Sequence, residues 1–251
     1  MIMLVRVGVI ALTQLIISLL VASPVAACPW WPFQMIAANA VCIPLLFVLS
    51  RREGRVPASL FLRPFAEGAI PPGLKRLLRD RPELEPASRL LLDAGLAIAV
   101  VGIFGVPAFF LSRGIDSLLQ ARTAVVRYAA LPQWATLSMT VLLPPSMALG
   151  EIPWYLGFFF PRFEQRLGAA GVRHPSVKAA LLCCGAFALQ HCFQPFVPDA
   201  TWLGLRFLVE LPLILLSAAV IRLMPRFTPV ALLLHFSLAV EVVLRYGSLV
   251  R

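Results

Sequence analysis

The chain has 251 residues, of which 60% are hydrophobic and only 14% charged, with a mean hydropathy of +0.87. A soluble domain carries about a quarter charged residues, so the composition excludes an ordinary soluble protein and points to an all-α, polytopic transmembrane helical bundle. The formal net charge is +10, yet the basic residues punctuate apolar stretches and form no patch interleaved with exposed aromatics, so no nucleic-acid partner is expected.

In chain order, apolar runs long enough to span a bilayer occur at Val7–Ala27, Trp31–Ser50, Leu90–Ser112, Trp134–Phe159, Val177–Phe193, Trp202–Ile221 and Thr228–Leu244, about seven spans in all. They divide the chain into an N-terminal two-span hairpin (1–50), a basic cytoplasmic loop (51–89) and the main bundle (90–251). Val25-Ala26-Ala27-Cys28 is similar to a lipobox, but a second long apolar run follows almost at once, so the first segment reads as a plain helix. The long loop repeats Pro, Gly and Arg. Within it Leu74-Lys75-Arg76-Leu77-Leu78-Arg79 puts leucines on one helical face and cations on the other, which suits a short interfacial helix on anionic lipid or an ordinary solvated loop. The five cysteines (Cys28, Cys42, Cys183, Cys184 and Cys192) lie in or beside apolar segments without CxxC spacing and are expected as free thiols.

The basic residues also set orientation. With the N terminus in the cytoplasm, sixteen Lys and Arg, Arg6 among them, fall in inside segments and five in outside segments. The positive-inside rule selects that arrangement.

Three ionisable residues stand inside three different apolar runs: Glu151, His191 and His235. Such residues are costly in a bilayer and default to a functional reading, with partners sought among one another. Counted from Arg162, Lys178 and Arg226, they lie roughly 14–20 Å from the cytoplasmic boundary at about 1.5 Å per helical residue, although their helices run in different directions. Pro144, Pro145 and Pro153 flank Glu151 and should kink or unwind its helix, a break tolerated where the backbone is enclosed by protein or lines water. His174, in Arg173-His174-Pro175, reads as part of a loop outside the site. Glu210 follows Arg206 by four residues, the spacing of an intrahelical ion pair, and Glu241 precedes Arg245 by four.

From Gly150 onward the residues carry a resemblance. GEIPWYLGFFFPRF (Gly150–Phe163), Phe187-Ala188-Leu189-Gln190-His191, and His235-Phe236-Ser237-Leu238-Ala239 after an approach from Pro229 follow the order of three motifs. In this the chain resembles the CAAX-protease and bacteriocin-processing (CPBP, or Abi) family of intramembrane peptidases, over about residues 134–244. The resemblance implies a glutamate-type endopeptidase in which Glu151 and His191 activate water and His235 helps stabilise the oxyanion, with Phe187, Tyr155 and Gln190 as accessory or substrate-binding residues. It implies no cofactor, and a hydrophobic or lipidated peptide substrate met within the membrane. A multi-pass protein of a bacterial inner membrane, with lipid as its other partner, is the matching setting. Three positions depart from the motifs: Ile152 replaces a second Glu, Leu156 an Arg, and Ala239 an Asn. Alanine cannot donate to an oxyanion, and losing one such donor typically lowers a rate by about 100- to 1000-fold.

The departures keep two other readings in view. One is a catalytically weak or inactive member of the same kind, acting as a membrane binding or scaffold protein. The other is a proton-coupled carrier, against which the halves show no evident repeat. Two His and one Glu are also a known catalytic zinc set, so the residue types alone leave metal open, although no HExxH occurs.

Overall fold

The computed structural model describes residues 2–62, 64–65, eight isolated positions between 95 and 114, and 131–248. Among these residues the regular structure is helical throughout and no strand is formed. The amphipathic Leu74–Arg79 segment and most of the expected span Leu90–Ser112 lie outside the described residues.

The helices are α1 (Val5–Leu20, preceded by a 3-10 turn at Ile2–Leu4), α2 (Pro24–Ala27), α3 (Trp31–Arg52), α4 (Ser59–Leu62), α5 (Gln133–Ile152), α6 (Phe160–Ala169), α7 (Pro175–His191), α8 (Ala200–Leu223) and α9 (Thr228–Ser248). Among the described residues three stretches are long and apolar enough to cross a membrane: Ile2–Leu20, Cys28–Arg52 and Ala200–Leu223. The first ends seven residues before the expected Ala27. At Ala22 the backbone turns to φ 56, a left-handed conformation that an α-helix cannot continue through. The lipobox-like Cys28 is buried in the 3-10 turn that leads into α3.

Start signals recur where the sequence offers them. Asp199 caps α8, its Oδ1 accepting the Trp202 amide at 2.7 Å. Pro175 opens α7, a first-turn position where proline's missing amide has no helical partner to lose. His174 before it is exposed, at φ 57, and accepts a hydrogen bond from Arg173 Nε, outside the polar centre described below.

The expected fourth span is broken, but not at Pro144 and Pro145, across which α5 continues. It changes winding at Pro153, where a π-helical segment, Pro153–Phe159, joins α5 to α6. Pro153 has no amide to give to the residue four before it, and its ring clashes with that carbonyl, so a wider turn relieves both problems. Gly157 within this segment lies directly under α4: a Cβ there would sit 2.8 Å from the Leu60 carbonyl oxygen. Gly157→Ala must therefore move backbone and should destabilise the protein by about 1–3 kcal/mol, read as a lowered thermal midpoint in lipid nanodiscs.

Two large apolar clusters and a small one at Met224 and Phe227 form the core of the described residues. One gathers Trp154, Tyr155, Phe158, Phe159 and Phe160 with Leu60, Cys183, Phe187 and Ile214. The other gathers Ile10, Met35, Ala38, Met139, Leu143 and Ala239. Four helices pass from one cluster to the other, and each carries a polar residue at the crossing. Arg6 lies between Met3 and Ile10, Asn39 between Ala38 and Cys42, Glu151 between Met147 and Ile152, and His235 between Leu232 and Ala239. All five cysteines are buried thiols outside any disulfide, as their setting led us to expect. Glu210 and Arg206 form the expected intrahelical pair at 3.2 Å.

Candidate active site

Glu151 occupies the seam between the clusters and is fully buried. Its Oε1 accepts from Arg6 Nη2 at 3.0 Å and from Gln190 Nε2 at 2.5 Å. Its Oε2 lies 2.5 Å from His235 Nε2. A carboxylate only accepts, so the His235 proton on this side resides on Nε2. Three of the roughly four acceptor sites of the carboxylate are thus taken by protein donors from α1, α7 and α9.

Gln190 is the second hub. Its Oε1 accepts from Arg6 Nε at 2.8 Å and from the Tyr155 hydroxyl at 3.0 Å. The π-helical segment delivers Tyr155 to this point, and the Tyr155 ring packs edge-on against Phe187 with centroids 5.6 Å apart. Arg6 Nη1 donates to Asn39 Oδ1, and Asn39 Nδ2 donates to Ser146 Oγ at 3.0 Å. Every donor nitrogen of the buried guanidinium therefore has a partner, as a buried charge requires.

His191 is close to this network but not hydrogen-bonded into it. Its Nδ1 lies 2.9 Å from the Phe187 carbonyl oxygen. A carbonyl only accepts, so Nδ1 carries the proton and the neutral ring keeps a lone pair on Nε2. The Phe187 ring touches both imidazoles, with centroids 4.6 Å from His191 and 6.2 Å from His235. Phe187 thereby fixes the two rings relative to each other from one side.

The structure brings Glu151 and His235 into direct contact, joins Gln190 and Tyr155 to them, and sets Phe187 against both histidines. Ala239, one turn beyond His235, is buried in the second apolar cluster and brings no polar group. Asn39 instead reaches the network from α3.

Sequence reasoning missed two residues. Arg6 was expected among the cytoplasmic topology charges; the structure buries it completely against Glu151. The signal was available, because Ile2-Met3-Leu4-Val5 makes the chain apolar on both sides of it. Asn39, at the middle of an apolar run, was the other readable sign.

Gly150 explains how these helices approach so closely. A Cβ there would collide with the Asn39 side chain and lie 3.3 Å from Arg6 Nη1. Gly150→Val should therefore push α3 and Arg6 off the carboxylate and remove whatever activity the centre has, measured alongside thermal stability to separate misfolding from local damage.

Among the described residues no group of three His, Cys, Asp or Glu side chains is placed to hold a metal ion. The Glu151 oxygens are engaged by Arg6, Gln190 and His235, whereas His191, with Nδ1 on a backbone carbonyl, keeps Nε2 open.

Comparison with known proteins gives no family model that matches the chain, and no matching curated protein or solved structure.

Proposed function

We propose that this chain is an intramembrane endopeptidase of the glutamate type, of the kind the CPBP-like motifs suggest, acting on a hydrophobic or lipidated peptide. The observation that carries the reading is a fully buried carboxylate held by three protein donors, with a second imidazole, His191, on the Phe187 ring that also meets His235, its Nε2 lone pair without a partner among the described residues. Oriented carboxylate and free imidazole nitrogen are what the activation of one water needs.

In the proposed reaction, a water held between Glu151 and His191 attacks the scissile carbonyl carbon, and His191 Nε2 takes its proton. The carbonyl π electrons move to oxygen as the tetrahedral intermediate forms. Collapse expels the amine, which receives that proton, so one water is consumed per bond. Glu151 orients the water and offsets the positive charge that develops on His191. His235 faces Glu151 Oε2, so here it acts first as the partner of the carboxylate, and a role at the oxyanion would require it to turn from that bond.

The same reading carries the finer topology: about seven spans, a cytoplasmic N terminus, a basic cytoplasmic loop at 51–89 against anionic lipid, and residence in a bacterial inner membrane. Three long apolar helices support it, as does the fifteen-to-five division of basic residues that remains once the buried Arg6 is set aside.

A second reading, a binding or scaffold protein without catalysis, is favoured by one observation: the donors on Glu151 all come from protein and Ala239 brings no amide. The discriminating experiment offers purified protein in lipid nanodiscs a library of membrane-spanning and lipidated peptides, with and without a chelator. Cuts that persist in chelator are expected. Cuts lost in chelator would replace the metal-free mechanism, and none at all from a folded protein would favour the scaffold.

A further inference from the structure

The proposed chemistry uses Glu151, His191 and His235 and leaves Arg6 without a role, although burying a guanidinium this completely is expensive. Its surroundings are more specific than charge neutralisation requires. Arg6 Nη2 meets Glu151 Oε1, Arg6 Nε meets Gln190 Oε1, and Gln190 Nε2 returns to the same Glu151 Oε1. These three contacts close a ring that grips one carboxylate oxygen from two directions. The third nitrogen is tied through Asn39 to Ser146 on α5 itself, five residues before Glu151. Cys42 also lies beside the guanidinium, while Tyr155 reaches it through Gln190 and His235 through Glu151. Only a planar fork with donors at fixed angles can make such a set, and a lysine ammonium cannot span it.

Two further observations point the same way. Leu156, in the π-helical segment after Glu151, is buried in the apolar cluster and brings no charge, so the positive charge on Glu151 comes from α1. Gly150, adjacent to Glu151, leaves open the space into which Arg6 and Asn39 advance.

We propose that Arg6 is a positioning residue of the Glu151 centre: the ring it closes with Gln190 fixes the carboxylate plane, so that Oε2 stays on His235 and faces the reacting water. Its kinetic consequence rests on the peptidase reading; its geometric consequence does not. The N-terminal helix α1 is then part of the catalytic centre and more than a membrane anchor.

The test compares wild type, Arg6→Lys and Arg6→Gln in nanodiscs, by kcat and KM on a peptide the wild type cuts. Isotope-edited infrared spectra of glutamate-labelled protein accompany it, with Glu151→Gln identifying the Glu151 carboxylate band. Arg6→Lys keeps the charge, and with it the fold, even if Arg6→Gln does not assemble. It should lower kcat at least about tenfold with KM within about threefold, because a displacement near 1 Å can lower a rate by about 100-fold. The Glu151 band should shift as its hydrogen bonds change. Arg6→Gln, where folded, should lose about 100-fold or more in kcat. Wild-type kcat in Arg6→Lys overturns the proposal whatever the spectrum shows, and so does a lowered kcat with an unshifted band. If the wild type cuts nothing, the peptidase reading fails separately, and the band alone decides: shifted in Arg6→Lys, the positioning role stands; unshifted, it falls.

Discussion

Glu151→Gln should abolish peptide cleavage, with a rate loss of about 100- to 10,000-fold, the range typical for a positioned acid or base. Glutamine has nearly the same shape, so the site should not collapse for want of volume. Its Oε1 can still accept from Arg6 and Gln190, where Glu151 Oε1 now does. The other terminal group becomes a donor and faces His235 Nε2, which itself presents a proton at 2.5 Å in the native arrangement. His235 must then change tautomer or turn away, and the negative charge that offsets a protonated His191 is gone. A side chain that mattered only by filling space would tolerate this change. His191→Ala should fall in the same range without disturbing the Glu151 network, because His191 makes no hydrogen bond to it. Glu151→Gln and His191→Ala combined should be little worse than either alone, since residues acting on one water act as a unit.

The second large effect is on stability. Arg6 and Glu151 form an ion pair whose two side chains are both fully buried. Removing one partner strands the other charge in a buried seam, which typically destabilises by about 3–5 kcal/mol, whereas removing both leaves no charge behind. Glu151→Leu and Arg6→Met should thus each lower stability sharply. The double variant should lose clearly less than the sum of the two single losses. Thermal unfolding followed by a thiol-reactive dye can report this, because the five cysteine thiols are buried in the folded state. Additive losses would mean that the pair is not coupled and that the two side chains serve separate neighbours.

Much of this arrangement could be read from residue types and periodicity. Long apolar runs gave the helical class, and Pro153 beside a buried acid located the change of helical winding to within a few residues. Glu151 and His235 stood out because an ionisable side chain in an apolar run has few reasons to be there, and the two do meet. What could not be read is which side chain answers which. Glu151 and Arg6 are 145 positions apart, and no spacing rule links residues on different helices. Arg6 also mimicked a familiar signal, since an arginine near the start of a first span ordinarily marks the cytoplasmic side. Asn39 and Gln190 are uncharged and drew less notice, yet between them they engage Arg6, Glu151, Tyr155 and Ser146. The end of the first helix was overestimated because Val21 and Ala22 are as apolar as the helix before them, and the break at Ser23-Pro24 was read through; the backbone turns at Ala22.

The central claim is that the Glu151 centre activates water, and cleavage in oxygen-18 water tests it most directly. Wild type and Glu151→Gln, both shown to be folded in nanodiscs, would be given the same membrane-spanning and lipidated peptides, and the fragments weighed by mass spectrometry. The account expects wild type to release fragments whose new carboxyl terminus carries one heavy oxygen, and Glu151→Gln to release none. Equal cleavage by both proteins would contradict it, as would silence from wild type on peptides that an active intramembrane peptidase cuts under the same conditions.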